Sequence, residues 1–285
     1  MYRHRHFDLL LHEDEELGEL LGDRVVSRKD LHEWPLSCVQ EVCTAGGRRL
    51  VYKAQREPSV EPAFYSAARS SLLAAAEVLH DDGMHTCMAV DYIDAPLAED
   101  LDLTEQEALD LGAELLEMIG RIEGDLPHHL DIGSAAGWRA LVDETLQVAF
   151  ALAAEGTFAN TGEAVLARLE RHALSEDVLA LFSGPMGYVH GDLTGDNVFV
   201  LDGGYRVVDW QRPLLGPTVL DLALLLGSLG FDPLLHVGSA AMVALAVVGF
   251  HWLTMCAARW IPSVGSYDSQ AAAVVDTMER YRAGG

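Results

Sequence analysis

The sequence predicts an α+β protein in two lobes, a small β-rich one followed by a larger, mostly helical one. Three β-branched and aromatic runs, at residues 24–29, 37–44 and 48–55, crowd the start of the chain. From Thr104 onward apolar residues recur instead at helical spacing. A length of 285 residues with 50% hydrophobic content can bury a core and is compatible with one large domain or two lobes. The boundary is expected between residues 93 and 94, giving lobes of 1–93 and 94–285.

Residues 9–21 place apolar side chains at helical spacing against an acidic face, which predicts an amphipathic first helix. The three strands follow, the last two joined by Ala45-Gly46-Gly47, and Lys53 stands on the third. Residues 30–36 read as a loop without a Gly-x-Gly-x-x-Gly pattern; its Trp34 suits either a ligand cover or a core edge. Glu61-Pro62 opens a short helix to about Ser70, with proline suited to the first turn. Asp81-Asp82-Gly83 between apolar runs then predicts a hairpin of residues 76–80 and 85–93. Periodicity also allows the helix to run on to Leu79, which would carry Glu77 on it.

Thr104-Glu105-Gln106-Glu107 is a capping-box opening. Helices are expected near 104–123, 135–154, 161–182, 217–229, 237–260 and 268–283. Residues 237–258 hold no charged side chain, a length that reaches a membrane span. Its Ser239, His251, Thr254 and many alanines favour a core helix, and no membrane partner is expected.

With 19 basic and 44 acidic residues the formal charge is -25, which argues against nucleic acid as a partner and favours cationic ligands. Cys38, Cys43, Cys87 and Cys256 lack metal or disulfide spacing, so a reducing cytoplasm is the expected setting. The apolar run 9–11 meets acidic residues 13–16 too soon for a signal peptide. His4, His6, His128 and His129 read as surface imidazoles.

Residues 190–209 carry the strongest functional signal: His190-Gly191-Asp192-Leu193, then Asn197, then a strand ending in Asp209. Runs 198–201 and 205–208 flank Asp202-Gly203-Gly204, predicting a tight hairpin. A three-residue turn pairing Leu201 with Tyr205 sets Asn197 opposite Asp209; a bulge at Gly203 or Gly204 shifts this by one. An amide oxygen and a carboxylate so placed can share a magnesium ion, which takes hard oxygen ligands. Asp192 suits the group that orients an attacking hydroxyl and accepts its proton. Singly, each of these is an ordinary turn residue; together they exceed that reading. His190 reads as a loop support rather than an acid or base.

The set His190-Gly191-Asp192-Leu193, Asn197-Val198, Val207-Val208-Asp209-Trp210 and Gly216-Pro217-Thr218-Val219-Leu220-Asp221-Leu222-Ala223 resembles the aminoglycoside phosphotransferase and choline kinase-like family. The resemblance implies a protein-kinase-like fold and an ATP-dependent small-molecule kinase, with GTP open as an alternative. It makes Asp192 the catalytic base, Asn197 and Asp209 the Mg²⁺ ligands, and Asp221 the buttress of the catalytic loop. Lys53 would hold the nucleotide phosphates and pair with Glu61, Glu77 being the rival. Asp91, Tyr92 and Ile93 would form the hinge against the base.

Competing readings are a nucleotide-binding pseudokinase or scaffold, for which a metal or base residue should be missing, and a protein kinase, for which residues 210–217 leave little room. The family spans antibiotic resistance, amino alcohols and sugars; net acidity favours an amine-bearing acceptor over a neutral sugar or metabolite. Asp268, Asp276 and Glu279 suit ammonium groups or a solvated helix face, and Phe250, Trp252 and Trp260 a sugar platform or core packing. Oligomeric state is left open.

Overall fold

The computed structural model describes residues 1–284 and has the α+β composition expected, strands first and helices after. In chain order the first elements are β1 (Tyr2–Arg3), β2 (Leu10–Leu11), α1 (Asp14–Leu21), β3 (Val25–Trp34), β4 (Ser37–Thr44), β5 (Arg49–Arg56), α2 (Glu61–Ala67), β6 (Ala76–Asp81) and β7 (His85–Asp91). Then come α3 (Glu105–Ile119), β8 (Leu130–Asp131), α4 (Ala135–Ala154), α5 (Glu163–Ala173), α6 (Glu176–Leu181), β9 (Met186–Val189), β10 (Val198–Leu201), β11 (Gly204–Val207), β12 (Leu214–Pro217), α7 (Val219–Ser228), α8 (Leu234–Met255) and α9 (Tyr267–Gly284).

Contacts divide the chain into two interleaved units, where a single boundary at 93/94 is expected from sequence. The first holds Met1–Asp100, Arg121–His129 and Asn197–Arg212; the second holds Leu101–Gly120, Leu130–Asp196 and Pro213 onward. Arg69 and Glu123 exchange backbone hydrogen bonds, which holds 121–129 in the first unit, and the β10–β11 hairpin holds the later segment. Val200 N–H donates to the Pro96 carbonyl, Val207 N–H to that of Leu72, and Phe199 bridges Leu97, so the hairpin is stitched into the first unit.

That unit is built on an antiparallel sheet of order β3-β4-β5-β7-β6. Cys38, Val42, Leu50, Tyr52, Ala54, Cys87 and Ala89 line one buried side, covered by Leu9, Leu11, Leu17 and Val25. Leu9 and Leu11 are two residues apart, so in extended chain both face the sheet. This corrects the helix expected from residue 9: the helix begins at Asp14, after a Glu13–Glu16 capping box.

The loop expected at 30–36 is mostly strand. β3 runs to Trp34, which pairs with Ser37, leaving Pro35-Leu36 as the turn and Trp34 36% exposed. The β6–β7 hairpin forms with Gly83 at φ 85°, the Asp81 and Asp82 carboxylates accepting from the N–H groups of Gly83, Met84 and His85. Accordingly α2 stops at Ala67 and Glu77 stands exposed on β6.

In the second unit β12 pairs parallel to β8 and antiparallel to β9, beside the helices α3 to α9. The helix expected at 161–182 is two, broken at Leu174-Ser175. The segment Leu234–Trp260 is long and apolar enough to cross a membrane by length and composition, and 61% of its apolar window is buried here. It packs on α4, α7 and α9, with His251 hydrogen-bonded to Thr145 Oγ1 at 2.8 Å. Gly238 (φ 77°) kinks its start, and one π-helical turn, Cys256–Trp260, ends it.

Candidate active site

In the first unit three charged side chains meet in the interior. Lys53 on β5 faces away from the Tyr52 core side because neighbours on a strand alternate. Its Nζ lies 2.6 Å from Glu61 Oε2, in the first turn of α2, and also pairs with Asp209 Oδ1. Lys53 and Glu61 are buried, at 6% and 2% exposure, while Asp209 is half-buried. Burial pushes the Lys53 ammonium down, but the Asp209 and Glu61 carboxylates leave it raised overall, so it stays charged. Burial raises Glu61, opposed by Lys53 and reinforced by Asp209. One ammonium thus faces two acidic side chains.

Asp209 has φ 68°, alone among the described non-glycine residues in the left-handed region. Such a backbone is held only where its surroundings over-determine it, and it clusters at functional sites. Here Trp210 is fixed by stacking on Phe64 of α2 at 4.4 Å and by donating Nε1–H to the Val207 carbonyl. Val60 N–H also donates to the Gln211 carbonyl, so the two residues after Asp209 are both tied to the α2 region.

The hairpin register differs from the first expectation and takes the shift by one. Leu201 pairs with Gly204, so the turn is Asp202-Gly203, with Gly203 at φ 88°. Val198 then faces Val207, and Val208 N–H donates to the Asn197 carbonyl, so Asn197 lies opposite Val208 rather than Asp209. A two-residue turn is the common solution when glycine supplies the positive φ.

The second unit holds Asp192 on a loop shaped by α7. Asp221, fully buried, accepts from His190 N–H at 2.7 Å and Gly191 N–H at 3.0 Å. Burial pushes its carboxyl up to about 7, opposed by those two hydrogen bonds and raised further by Asp192. Gly191 takes φ 81°, a conformation that suits glycine. His190 is also fully buried, and its Nδ1 accepts from Asp192 N–H at 3.2 Å, so that ring nitrogen carries no proton. Asp192 itself is half-buried.

Ser228, unremarked in the sequence, completes the frame. Its hydroxyl accepts from Gly195 N–H at 2.8 Å and donates to the Leu225 carbonyl. It lies seven residues after Asp221, two helical turns along the same face, so the helical period offered a signal for it.

The residues present fit magnesium by donor chemistry. Asp209 offers a carboxylate and Asn197 an amide oxygen, both hard ligands, and magnesium commonly takes one or two from protein and the rest from phosphate and water. Among the described residues no group of three or more His, Cys, Asp or Glu could hold a metal alone.

At the expected hinge, Arg48 pairs with Asp91 at 3.0 Å and the Arg49 guanidinium lies 3.5 Å over the Tyr92 ring. Asp91 N–H is taken by the Ala75 carbonyl, and Ile93 is half-buried. The acidic residues considered for ammonium binding have partners within the fold. Asp268 accepts from Asn160 N–H at 2.7 Å and Thr161 N–H at 2.9 Å, while Asp276 and Glu279 bracket Arg168, each at 2.7 Å. Phe250 is buried in the core; Trp252 and Trp260 pack on each other at 4.9 Å.

A strand lysine paired to a helix glutamate and a hairpin Asp stands in the first unit, and an Asp on a braced loop in the second. Residues 48–255 match the phosphotransferase enzyme family, and the chain belongs to it. It is a small-molecule phosphotransferase that acts on an alcohol group, with a protein-kinase-like fold. Among solved structures it is similar to a thermostable mutant of aminoglycoside phosphotransferase APH(4)-Ia in apo form, at 16% identity and a TM-score of 0.63, covering 95% of this chain and 99% of that one. A choline/ethanolamine kinase family protein from Mesorhizobium loti is 17% identical with a TM-score of 0.57, covering 89% and 88%. Spectinomycin phosphotransferase APH(9)-Ia, in complex with ADP and spectinomycin, is 13% identical with a TM-score of 0.52, covering 95% and 99%. No curated protein matches the chain.

Proposed function

We propose that the protein transfers the γ-phosphate of ATP to a hydroxyl of an amine-bearing acceptor. The observation that carries the nucleotide half of this reading is the buried Lys53–Glu61 pair joined to Asp209. An ammonium held charged in the interior neutralises phosphate oxygens, and Glu61 fixes where it points. Asp209 and Asn197 would hold magnesium, which when bound draws charge from the phosphate oxygens.

Asp192 is the catalytic base in this reading. It orients the acceptor hydroxyl and takes its proton as the oxygen attacks the γ-phosphorus and the bond to the ADP leaving oxygen breaks. Asp221 and His190 position the loop through its backbone N–H groups and do not touch the reacting atoms. All the machinery is present, which favours an enzyme over a pseudokinase.

The acceptor class rests on the formal charge of -25, which steers cations toward the surface. ADP release would be followed over amine-bearing antibiotics, aminonucleosides, amino alcohols and neutral sugars, at low and high salt. An aminated acceptor whose kcat/KM falls with salt while kcat holds supports the reading, because exposed charges are screened over about 8–10 Å. A neutral or anionic best acceptor would sink the amine assignment and leave the phosphotransferase intact.

A further inference from the structure

Helix α2 turns more than Glu61 toward the Asp209 segment. Phe64 stacks on Trp210, the residue after Asp209, with the rings 14° from parallel. Tyr65 is four residues after Glu61 and so lies above it on the same helix face. The Tyr65 hydroxyl is withdrawn from solvent and has no hydrogen-bond partner among the described residues. A buried hydroxyl left unpaired is destabilising and uncommon, and its usual explanation is a ligand, water or ion.

Its surroundings say what kind of ligand. Burial, and then the Glu61 and Asp209 carboxylates, hold the phenol well above its usual value, so it remains an O–H donor at every physiological pH. Lys53 already partners both carboxylates. A buried, unpaired donor one helical turn from Glu61 matches an oxygen-rich guest, either phosphate or the water around a bound cation.

We propose that Tyr65 is a positioning residue of the nucleotide site, its hydroxyl donating a hydrogen bond into the shell of oxygens that magnesium nucleotide brings to Asp209. The inference rests on the reading of Lys53, Asn197 and Asp209 given above. Tyr65 neither accepts the substrate proton nor ligates the metal. It links α2 to the phosphate site a second time, beside the Glu61–Lys53 pair, so nucleotide binding also tightens α2.

Tyr65→Phe removes one oxygen and keeps the ring and its contact with Phe64. Calorimetric titration with a non-hydrolysable ATP analogue, with magnesium and with EDTA, would be paired with thermal unfolding of the free protein. We expect the variant to unfold at the same temperature or slightly higher, since an unpaired buried polar group is gone. Its affinity for the magnesium form should fall about 5- to 10-fold, the size of one lost hydrogen bond, with the EDTA form unchanged. Unaltered affinity for the magnesium form, an equal loss with and without magnesium, or a lowered unfolding temperature would each overturn the role. Wild-type protein that binds neither form would instead bring down the nucleotide reading and this inference with it.

Discussion

The Lys53–Glu61–Asp209 cluster and the Asp192 loop solve different problems by different means. The first gathers full charges in the interior, where removing one leaves others uncompensated. The second is framed by backbone N–H groups, with Asp221 accepting from His190 and Gly191, and Ser228 from Gly195. A charge cluster suits a ligand that arrives carrying charge; a loop held by its backbone suits precise placement of one side chain. Substitutions in the cluster should therefore register as lost nucleotide affinity, and those around the loop as lost turnover at nearly constant affinity.

The largest effect is expected from Asp209→Ala. Losing a hard oxygen ligand while Lys53 loses a partner should lower kcat/KM by on the order of 1000-fold, with a weaker response to added Mg²⁺. An unchanged magnesium dependence in steady-state assays would remove Asp209 from the site.

Next, Lys53→Ala should raise the KM for ATP by about 100-fold. Glu61→Ala should raise it less, about 10-fold, because the ammonium remains near Asp209. Glu77→Ala, on the exposed strand β6, should do nothing. A nucleotide defect in Glu77→Ala without one in Glu61→Ala would break the cluster as described.

Asp221 offers a test by pH. Its carboxyl, raised from 3.8 to about 7, keeps in the folded state a proton that the unfolded chain loses. The stability it contributes is full below its ordinary value and is lost as pH rises through about 7. Protonation turns one of the two accepting oxygens into a hydroxyl and weakens its hydrogen bond, so kcat should fall as pH drops through the same range. Asp221→Asn should lower kcat about 10-fold, remove that acid limb and flatten the decline of Tm between pH 4 and 8. An acid limb unchanged in the variant would contradict the role.

The smallest effect is Ser228→Ala. It leaves Gly195 N–H without its acceptor and should lower kcat about 3- to 10-fold, with the KM for ATP unchanged in steady-state kinetics. A shift in nucleotide KM alone would place Ser228 on the wrong side of the comparison.

How much of this was legible in the sequence follows the same division. The His190-to-Asp209 hairpin was readable because short-range spacing carried it, and so were the strand of Lys53 and the helix start at Glu61; that these two pair came from the family resemblance. The hairpin register was off by one, since Asp202-Gly203-Gly204 supports turns of two or three residues and only pairing decides between them. Leu9 and Leu11 fit helical spacing and strand alternation alike; tertiary burial chose the strand. The interleaving of the two units was hidden, because it depends on Pro96 and Leu72 accepting from a hairpin more than 100 residues away. Tyr65 was overlooked for another reason: an unpaired buried hydroxyl exists only once the surrounding atoms are placed.

The central claim is that the charged cluster binds nucleotide while Asp192 acts on the acceptor. Measuring magnesium-ATP-analogue affinity and ADP release side by side for Asp192→Asn tests it most directly. Affinity should stay within about twofold of wild type while turnover falls by about 100- to 10,000-fold. Retained ADP release, or an affinity lost as fully as in Asp209→Ala, would contradict it.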